Sequence, residues 1–228
     1  GRFAHVPEAV APSAVPAFGR TPRALTKREI TTIQKQFAKA ALRVKKAGFD
    51  LVELHGGTGY LLAQFVSPRT NKRSDAYGGP IENRIKFPLE VLKRVKDTVG
   101  DFPVGYRFLV DEWLPDGLKE SESIFLAKSL EQEGIAYISA MGGTYESFFL
   151  PEIVQKAKRI GYMVSLAAAV KQNVDIPVIA AGRISTPLKA ESILSEKKAD
   201  LIGLARMLWV DPEWPKKARR GEDRSIIK

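Results

Sequence analysis

Five short apolar segments alternate with longer amphipathic segments along most of this 228-residue chain. The apolar segments predict strands at 50–55, 103–108, 135–140, 176–181 and 199–204. Apolar residues recurring at helical spacing predict helices at 26–46, 81–99, 120–133, 151–172, 187–195 and 212–220. Unbroken alternation of strands and helices requires a parallel sheet, because each crossover helix returns the chain to the same edge. The sequence therefore predicts an α/β fold.

The number of strands decides whether such a sheet can close. A closed βα barrel of this kind has eight strands, whereas five are predicted here. Either the sheet is open or three units lie outside this sequence. The first residue is Gly rather than Met and the chain begins in a loop, which favours a missing N-terminal piece. Residues 1–25, rich in Pro, Ala and Gly, are expected to form an extended surface segment, and 26–228 the five βα units.

Composition argues against several classes of function. No apolar run approaches the roughly 20 residues of a membrane span, so we expect a soluble, cytoplasmic protein without a membrane partner. The absence of cysteine excludes thiol chemistry, and two histidines argue against a zinc site. The net charge of +10 would suit nucleic acid. However, the basic residues lie mainly on amphipathic helices such as 26–46, which favours a solvated outer face and no nucleic-acid partner.

A glycine-rich loop follows the first predicted strand in the sequence LVELHGGTGY (51–60). It carries the imidazole of His55, the hydroxyl of Thr58 and the phenol of Tyr60, which together can hold a substrate oxygen and offer a proton. Strand alternation places Glu53 and His55 on one face, with His55 at the top and Glu53 deeper as a structural carboxylate with internal partners. The alternative for Tyr60 is a ring that only packs within the loop.

The stretch HGGTGYLLAQFVSPRTNKRSDAYGGPIENRIKFPLEV (55–91) resembles the Old Yellow Enzyme family of FMN-dependent ene-reductases, in its NADH:flavin oxidoreductase branch. Further landmarks follow the same order: the opening GR, AVAPSAV, GYRF, AAGRI and LARMLWVDPEWPKKA. The resemblance implies a flavin-binding (βα)8 TIM barrel, of which this chain holds strands four to eight and lacks the first three. It also implies that hydride passes from NADH or NADPH through FMN to an activated alkene.

The resemblance also implies roles for individual residues. His55 and Thr58 match the pair that grips the substrate oxygen, although the family usually has His or Asn at the second position. A threonine is shorter and uncharged, so we expect weaker oxyanion stabilisation or a differently shaped substrate. Tyr60 matches the proton donor. Arg107 matches the arginine that faces the flavin pyrimidine, with an ion pair in the barrel interior as the alternative.

The loops after the last two predicted strands are expected to bind the cofactor phosphate through backbone N–H groups and a guanidinium. The candidates are Gly182, Arg183, Ala205 and Arg206. Arg206 is the strongest of them. The loop 66–84 has charges of both signs that can pair, which favours a structural loop over a lid. The segment 141–151 is favoured for substrate contact, although its aromatic side chains could instead pack on a neighbouring subunit.

Three functional hypotheses follow from the sequence. The first is an FMN-dependent oxidoreductase acting on a small-molecule substrate. The second is a non-catalytic fragment or subunit, because five strands cannot close a barrel and an open edge would pair in a homo-oligomer or with a partner chain. The third is a flavin-free barrel enzyme that uses His55 and Tyr60 for isomerisation. A bound yellow chromophore would separate the first hypothesis from the other two.

Overall fold

A parallel sheet of five strands organises the chain, which the computed structural model describes over residues 8–227. Two short strands, β1 (Val10–Ala11) and β2 (Arg23–Ala24), first pair with each other. The main sheet then runs, from one edge to the other, through β3 (Val52–Gly56), β4 (Val104–Asp111), β5 (Tyr137–Gly142), β6 (Val178–Ala180) and β7 (Leu201–Ile202). All neighbours are parallel, which confirms the predicted fold class. Residues 1–7, with the opening GR, lie outside the described residues.

Ten α-helices lie in the described part of the chain. They are α1 (Lys27–Lys46), α2 (Leu61–Val66), α3 (Ile81–Arg84), α4 (Lys86–Val99), α5 (Glu120–Gln132), α6 (Pro151–Lys156), α7 (Val164–Lys171), α8 (Pro187–Ser195), α9 (Arg206–Val210) and α10 (Trp214–Arg219). Single turns of 3₁₀-helix occur at Ser147–Phe149 and Asp223–Ser225. The sequence did not predict α2 and α9, because helices this short show too few turns for a helical period.

Two predicted helices are wrong as single elements. The predicted helix 151–172 is two helices, α6 and α7, because the chain between them turns at Gly161, which has a φ of 70°. The predicted helix 81–99 divides at Ile85 into α3 and α4. Pro88 in the first turn of α4 has no N–H to donate to the carbonyl of Arg84, which weakens the connection between the two helices.

The first long helix illustrates how the sequence sets the helical layer. Thr26 caps α1: its hydroxyl accepts from the Glu29 N–H at 3.3 Å, while the Glu29 carboxylate accepts from the Thr26 N–H at 2.8 Å. Four residues at helical spacing face the interior: Ile30, Gln34, Ala38 and Ala41. Most of the remaining residues are exposed or half-buried, as the solvated-face interpretation of 26–46 predicts.

The two faces of the sheet differ in chemistry. The face toward the helices supplies buried apolar side chains to the core: Leu54, Tyr106, Phe108, Val110, Ile138, Ala140, Val178 and Ala180. The opposite face carries polar side chains: Glu53, His55, Arg107, Tyr137 and Ser139. Glu53 lies two residues before His55 on β3 and so farther from the C-terminal strand ends, as expected for a carboxylate below the site, although residues 8–227 leave it exposed. The Glu53 carboxylate bonds to Tyr137, whose pKa is raised to about 12 by burial and then by this neighbour.

The outer edges of β3 and β7 have no strand partner among residues 8–227. The sheet is therefore open, and on its polar face Glu53 and His55 are exposed whereas Ser139 is buried. Five consecutive parallel strands with outer helices are the arrangement expected for part of a (βα)8 barrel.

Candidate active site

The loop after β3 folds back over the end of its own strand. Thr58 and Gly59 both have positive φ, 55° and 76°, and the Tyr60 N–H donates to the Gly57 carbonyl at 3.0 Å. This tight turn brings the Tyr60 ring to 5.0 Å from the His55 ring, measured between centroids. Residues five positions apart in sequence thus form one cluster at the C-terminal end of the strand.

Tyr60 pairs with a second tyrosine that the sequence did not single out. Its Oη lies 2.9 Å from the Oη of Tyr145, which follows β5, and the two rings meet edge to face with centroids 5.8 Å apart. This hydrogen bond, followed by partial burial, raises the pKa of Tyr60. The phenol therefore keeps its proton at neutral pH and has one to give.

His55 belongs to a polar row that crosses three strands. The register places His55 opposite Arg107 on β4, and Arg107 opposite Ser139 on β5. Burial, and then the Arg107 charge, lower the pKa of His55 below its ordinary value of 6.5. The imidazole is therefore neutral at pH 7 and can offer an N–H without carrying a charge.

Arg107 keeps its charge available on this face. Its Nη1 donates to the Ser139 hydroxyl at 2.8 Å, so the hydrogen-bond partner is neutral rather than a carboxylate. This contact differs from the ion pair that was the alternative from the sequence. The guanidinium also lines the cavity described below, so it links the histidine cluster to that cavity.

Thr58 is held in an unusual conformation for its type. A β-branched residue rarely adopts a φ of 55°, because the Cβ substituents crowd the backbone there. Its hydroxyl donates to the Met141 sulfur at 3.5 Å, and sulfur is a weak acceptor. A substrate oxygen would therefore displace this bond at little cost.

A cavity of about 640 Å³ lies at the C-terminal ends of β6 and β7. All five residues predicted to bind the cofactor line it: Arg107, Gly182, Arg183, Ala205 and Arg206. Lys158 adds a fourth cation to its wall. The structure thus brings together residues that are up to 99 positions apart in sequence and groups them by positive charge.

The cavity fits a flavin mononucleotide in size and charge. Its volume lies within the roughly 300–1,000 Å³ that is typical of cofactor sites. Gly182 has a φ of 110°, and a Cβ there would lie 3.0 Å from the Met163 Cβ. A Cβ at Gly203 would lie 3.2 Å from the Ala181 Cβ. Glycine at both positions lets the backbone of the cavity wall pack closely on these neighbours, and the guanidinium groups that line the cavity suit a phosphate.

Part of the cavity wall was not predicted from the sequence, because it lies in the turn between α6 and α7. Tyr162 and Met163 line the cavity together with Lys158. Burial raises the pKa of Tyr162. The positive charges of Arg206 and Arg107 act to lower it, because both guanidinium groups lie near the phenol. Gly161, within the predicted helix, was the signal that could have indicated this turn.

The loop 66–84 is fixed by charge pairs, in agreement with its interpretation as structural. Arg73 and Asp75 pair within the loop at 2.6 Å. Arg69 reaches outside it to Asp116 at 2.6 Å and to Glu146 at 2.5 Å, and so ties the loop to the segment 141–151.

Neither a membrane-spanning helix nor a cluster of metal-binding side chains occurs in the described part of the chain. Across residues 8–227, no helix is long and apolar enough to cross a membrane. The same residues contain no group of three or more His, Asp or Glu side chains placed to hold a metal ion.

Comparisons with known proteins agree with this geometry. The family model described as the NADH:flavin oxidoreductase / NADH oxidase family matches residues 4–224. An NADH oxidase of Thermoanaerobacter brockii is 45% identical over 223 residues, which cover 96% of this chain and 34% of the relative. An NADPH dehydrogenase of Halalkalibacterium halodurans is 40% identical, with 92% of this chain and 60% of the relative covered.

Solved structures show the same relation. A 2-naphthoyl-CoA reductase in complex with 2-naphthoyl-CoA superposes with a TM-score of 0.89 at 32% identity, over 97% of this chain and 34% of the reductase. Morphinone reductase in complex with tetrahydroNAD gives a TM-score of 0.77 at 31% identity, over 94% of this chain and 60% of the reductase. The chain thus spans between about a third and three fifths of the length of these relatives.

The family match covers nearly all of the chain and coincides with a cavity that fits a flavin. The family description names NADH and flavin, in agreement with the expected FMN and nicotinamide donor. The resemblance seen in residues 55–91 is confirmed. The chain belongs to the NADH:flavin oxidoreductase / NADH oxidase family, the family of Old Yellow Enzyme.

Proposed function

We propose that the complete protein is an FMN-dependent oxidoreductase that passes hydride from NADH or NADPH to an activated alkene, such as an α,β-unsaturated carbonyl compound. The observation that carries the proposal is the position of Arg107. It lies beside His55 in the strand register and also lines the cationic cavity, so a substrate held by the cluster would adjoin a cofactor held in the cavity. Because NADH and NADPH are the donors, a cytoplasmic location is part of the proposal.

The cluster at the end of β3 would bind and protonate the substrate. The neutral His55 N–H and the Thr58 hydroxyl donate to the substrate oxygen, which withdraws electrons from the adjoining double bond. Tyr60 then gives its proton to the α-carbon. Its raised pKa suits an acid that must remain protonated at neutral pH.

The cavity would hold the cofactor. Bound FMN would supply the hydride that reaches the β-carbon of the alkene. Arg107 would place a fixed positive charge beside the flavin ring, where it favours the reduced form. Arg183 and Arg206 would bind the phosphate, together with the backbone N–H groups of the loops that carry Gly182 and Ala205.

Replacing Tyr60 tests the proposal. In the complete, FMN-loaded protein, Tyr60→Phe should leave flavin reduction by the nicotinamide unchanged, because that step needs no acid from the protein. Alkene reduction should slow about 100-fold, the lower end of what a general acid contributes. Stopped-flow absorbance of the flavin separates the two half-reactions. An unchanged alkene rate would remove Tyr60 from the mechanism.

A separate observation favours a second candidate function, that of an incomplete part of such an enzyme. The outer edges of β3 and β7, unpaired within residues 8–227, favour a chain that completes its barrel only with further strands, from more of the same polypeptide or from a partner chain. A visible absorption spectrum with FMN titrated into the 228-residue chain distinguishes the two. Stoichiometric binding would show that these residues suffice for the cofactor, whereas no binding would make them an inactive part of a reductase.

A further inference from the structure

Tyr145 lies where no role has been assigned to it, in the loop after β5 and 85 positions from Tyr60. It contacts Tyr60 in two ways, through the hydroxyl pair at 2.9 Å and through rings inclined at 82°. A hydrogen bond and an edge-to-face contact together restrict rotation of a phenol about both of its side-chain torsions. We infer that Tyr145 is a positioning residue that fixes the Tyr60 hydroxyl for proton transfer to the substrate. This inference rests on the proposed function.

Backbone contacts hold Tyr145 in place from one side. The preceding residue, Thr144, forms a parallel β-bridge with Thr58, so the loops carrying the two tyrosines are joined directly. Thr144 is fixed in turn by Ser147: the Thr144 N–H donates to the Ser147 hydroxyl at 2.8 Å, and the Ser147 N–H donates to the Thr144 hydroxyl at 3.4 Å. The tyrosine therefore projects from an anchored backbone.

An ion pair holds the loop from the other side. The following residue, Glu146, receives two hydrogen bonds from Arg69, at 2.5 Å from Nη2 and 3.2 Å from Nε. Arg69 also forms an ion pair with Asp116, with 2.6 Å between Nη1 and Oδ1. Both chain neighbours of Tyr145 are thus bound to parts of the molecule distant in sequence, although its own ring is 36% exposed. Such anchoring lowers the entropy cost of holding a partner for Tyr60.

Tyr60 needs such a partner because the contact of its ring with His55 does not fix the hydroxyl. It precedes α2 without a side-chain capping bond, and it is 38% exposed. A misplacement of about 1 Å between a reacting group and its target can cost roughly 100-fold in rate. In the resting pair Tyr60 donates to Tyr145, which raises the pKa of Tyr60. When the Tyr60 hydroxyl turns to give its proton to the substrate carbon, Tyr145 can instead donate to the Tyr60 oxygen, and the proton that Tyr60 loses is regained from water. The pair thus directs the acid without consuming a further reagent.

The test compares Tyr145→Phe, Tyr60→Phe and the double variant in the complete, FMN-loaded protein, with 2-cyclohexenone as the acceptor. Tyr145→Phe removes only a hydroxyl. The control, Tyr77→Phe, also removes a hydrogen-bonded hydroxyl, but from a tyrosine that bonds to Glu90 on α4. Stopped-flow measurements give the rate constant of the alkene half-reaction at saturation, the dissociation constant of the enone and the rate of flavin reduction.

We expect Tyr145→Phe to slow the alkene half-reaction about tenfold, while the enone dissociation constant, the flavin spectrum and flavin reduction stay unchanged. The double variant should be no slower than Tyr60→Phe, because Tyr145 acts only through Tyr60. A full rate in Tyr145→Phe beside a slow Tyr60→Phe would overturn the inference and leave the proposed function standing. Slower flavin reduction in Tyr145→Phe, or additive effects in the double variant, would also overturn it. A full rate in Tyr60→Phe would refute the proposed function, and this inference with it.

Discussion

Replacing Tyr106 with phenylalanine should stabilise the protein. Tyr106 on β4 is only 1% exposed, and its hydroxyl has no hydrogen-bond partner among residues 8–227. Its ring fills the space beside Gly56 so closely that a Cβ there would lie 2.1 Å from the Tyr106 Cε1. Burial raises the pKa of this phenol, since the charged form cannot be solvated at this position.

The expected magnitude follows from the unpaired hydroxyl. An unsatisfied buried polar group costs about 1–3 kcal/mol, and this cost disappears when the oxygen is removed. Part of the gain is offset, because each lost contact of the oxygen forfeits about 0.1–0.2 kcal/mol of dispersion energy. We therefore expect Tyr106→Phe to raise the free energy of unfolding by about 1 kcal/mol. In a protein of this size that corresponds to a Tm higher by roughly 2–4 °C.

Thermal and urea unfolding followed by tryptophan fluorescence measure this change. The matched control is Tyr77→Phe, because the Tyr77 hydroxyl donates to the Glu90 carboxylate at 2.9 Å. Losing that bond should lower the Tm, so the same chemical change is expected to have opposite signs at the two sites. A Tm for Tyr106→Phe at or below that of the wild type would refute the reasoning, since it would show that the Tyr106 hydroxyl has a partner such as a buried water.

Two further changes give measurable outcomes. The lowered pKa of His55 means that folding favours the neutral imidazole, so stability is complete at neutral pH and falls as the pH drops below 6.5 toward the folded-state pKa. His55→Gln should remove this part of the loss of stability as the pH is lowered through 6.5 in urea unfolding, and identical slopes in both proteins would contradict it. Thr58→Asn should raise the free energy of unfolding by about 1 kcal/mol, because asparagine tolerates positive φ better than a β-branched residue. A lower Tm for Thr58→Asn would show that its contact with Met141 outweighs the relief of strain.

Much of the helical layer could be predicted from the sequence because its signals are local. The helix 187–195 was predicted with the observed bounds, since Thr186 caps it and Pro187 opens it. The spacing from His55 to Tyr60 likewise placed both side chains in one turn. By contrast, the interruption between α6 and α7 depends on Gly161 and on packing around the cavity. The spacing of apolar residues gives no information about either.

The sequence by itself determined the order of the five main strands and the longer helices, the parallel direction of the sheet and the residues at the C-terminal strand ends, because these follow from short-range periodicity and from motifs. Only the tertiary structure decided that Tyr145 meets Tyr60, that Arg107 joins the cluster to the cavity, and that Glu53 is exposed. Contacts between residues that are distant in sequence depend on how the strands and loops pack in space. Exposure depends on which surfaces other parts of the molecule cover. Neither the long-range contacts nor the exposure of a residue can be read directly from the sequence of one segment.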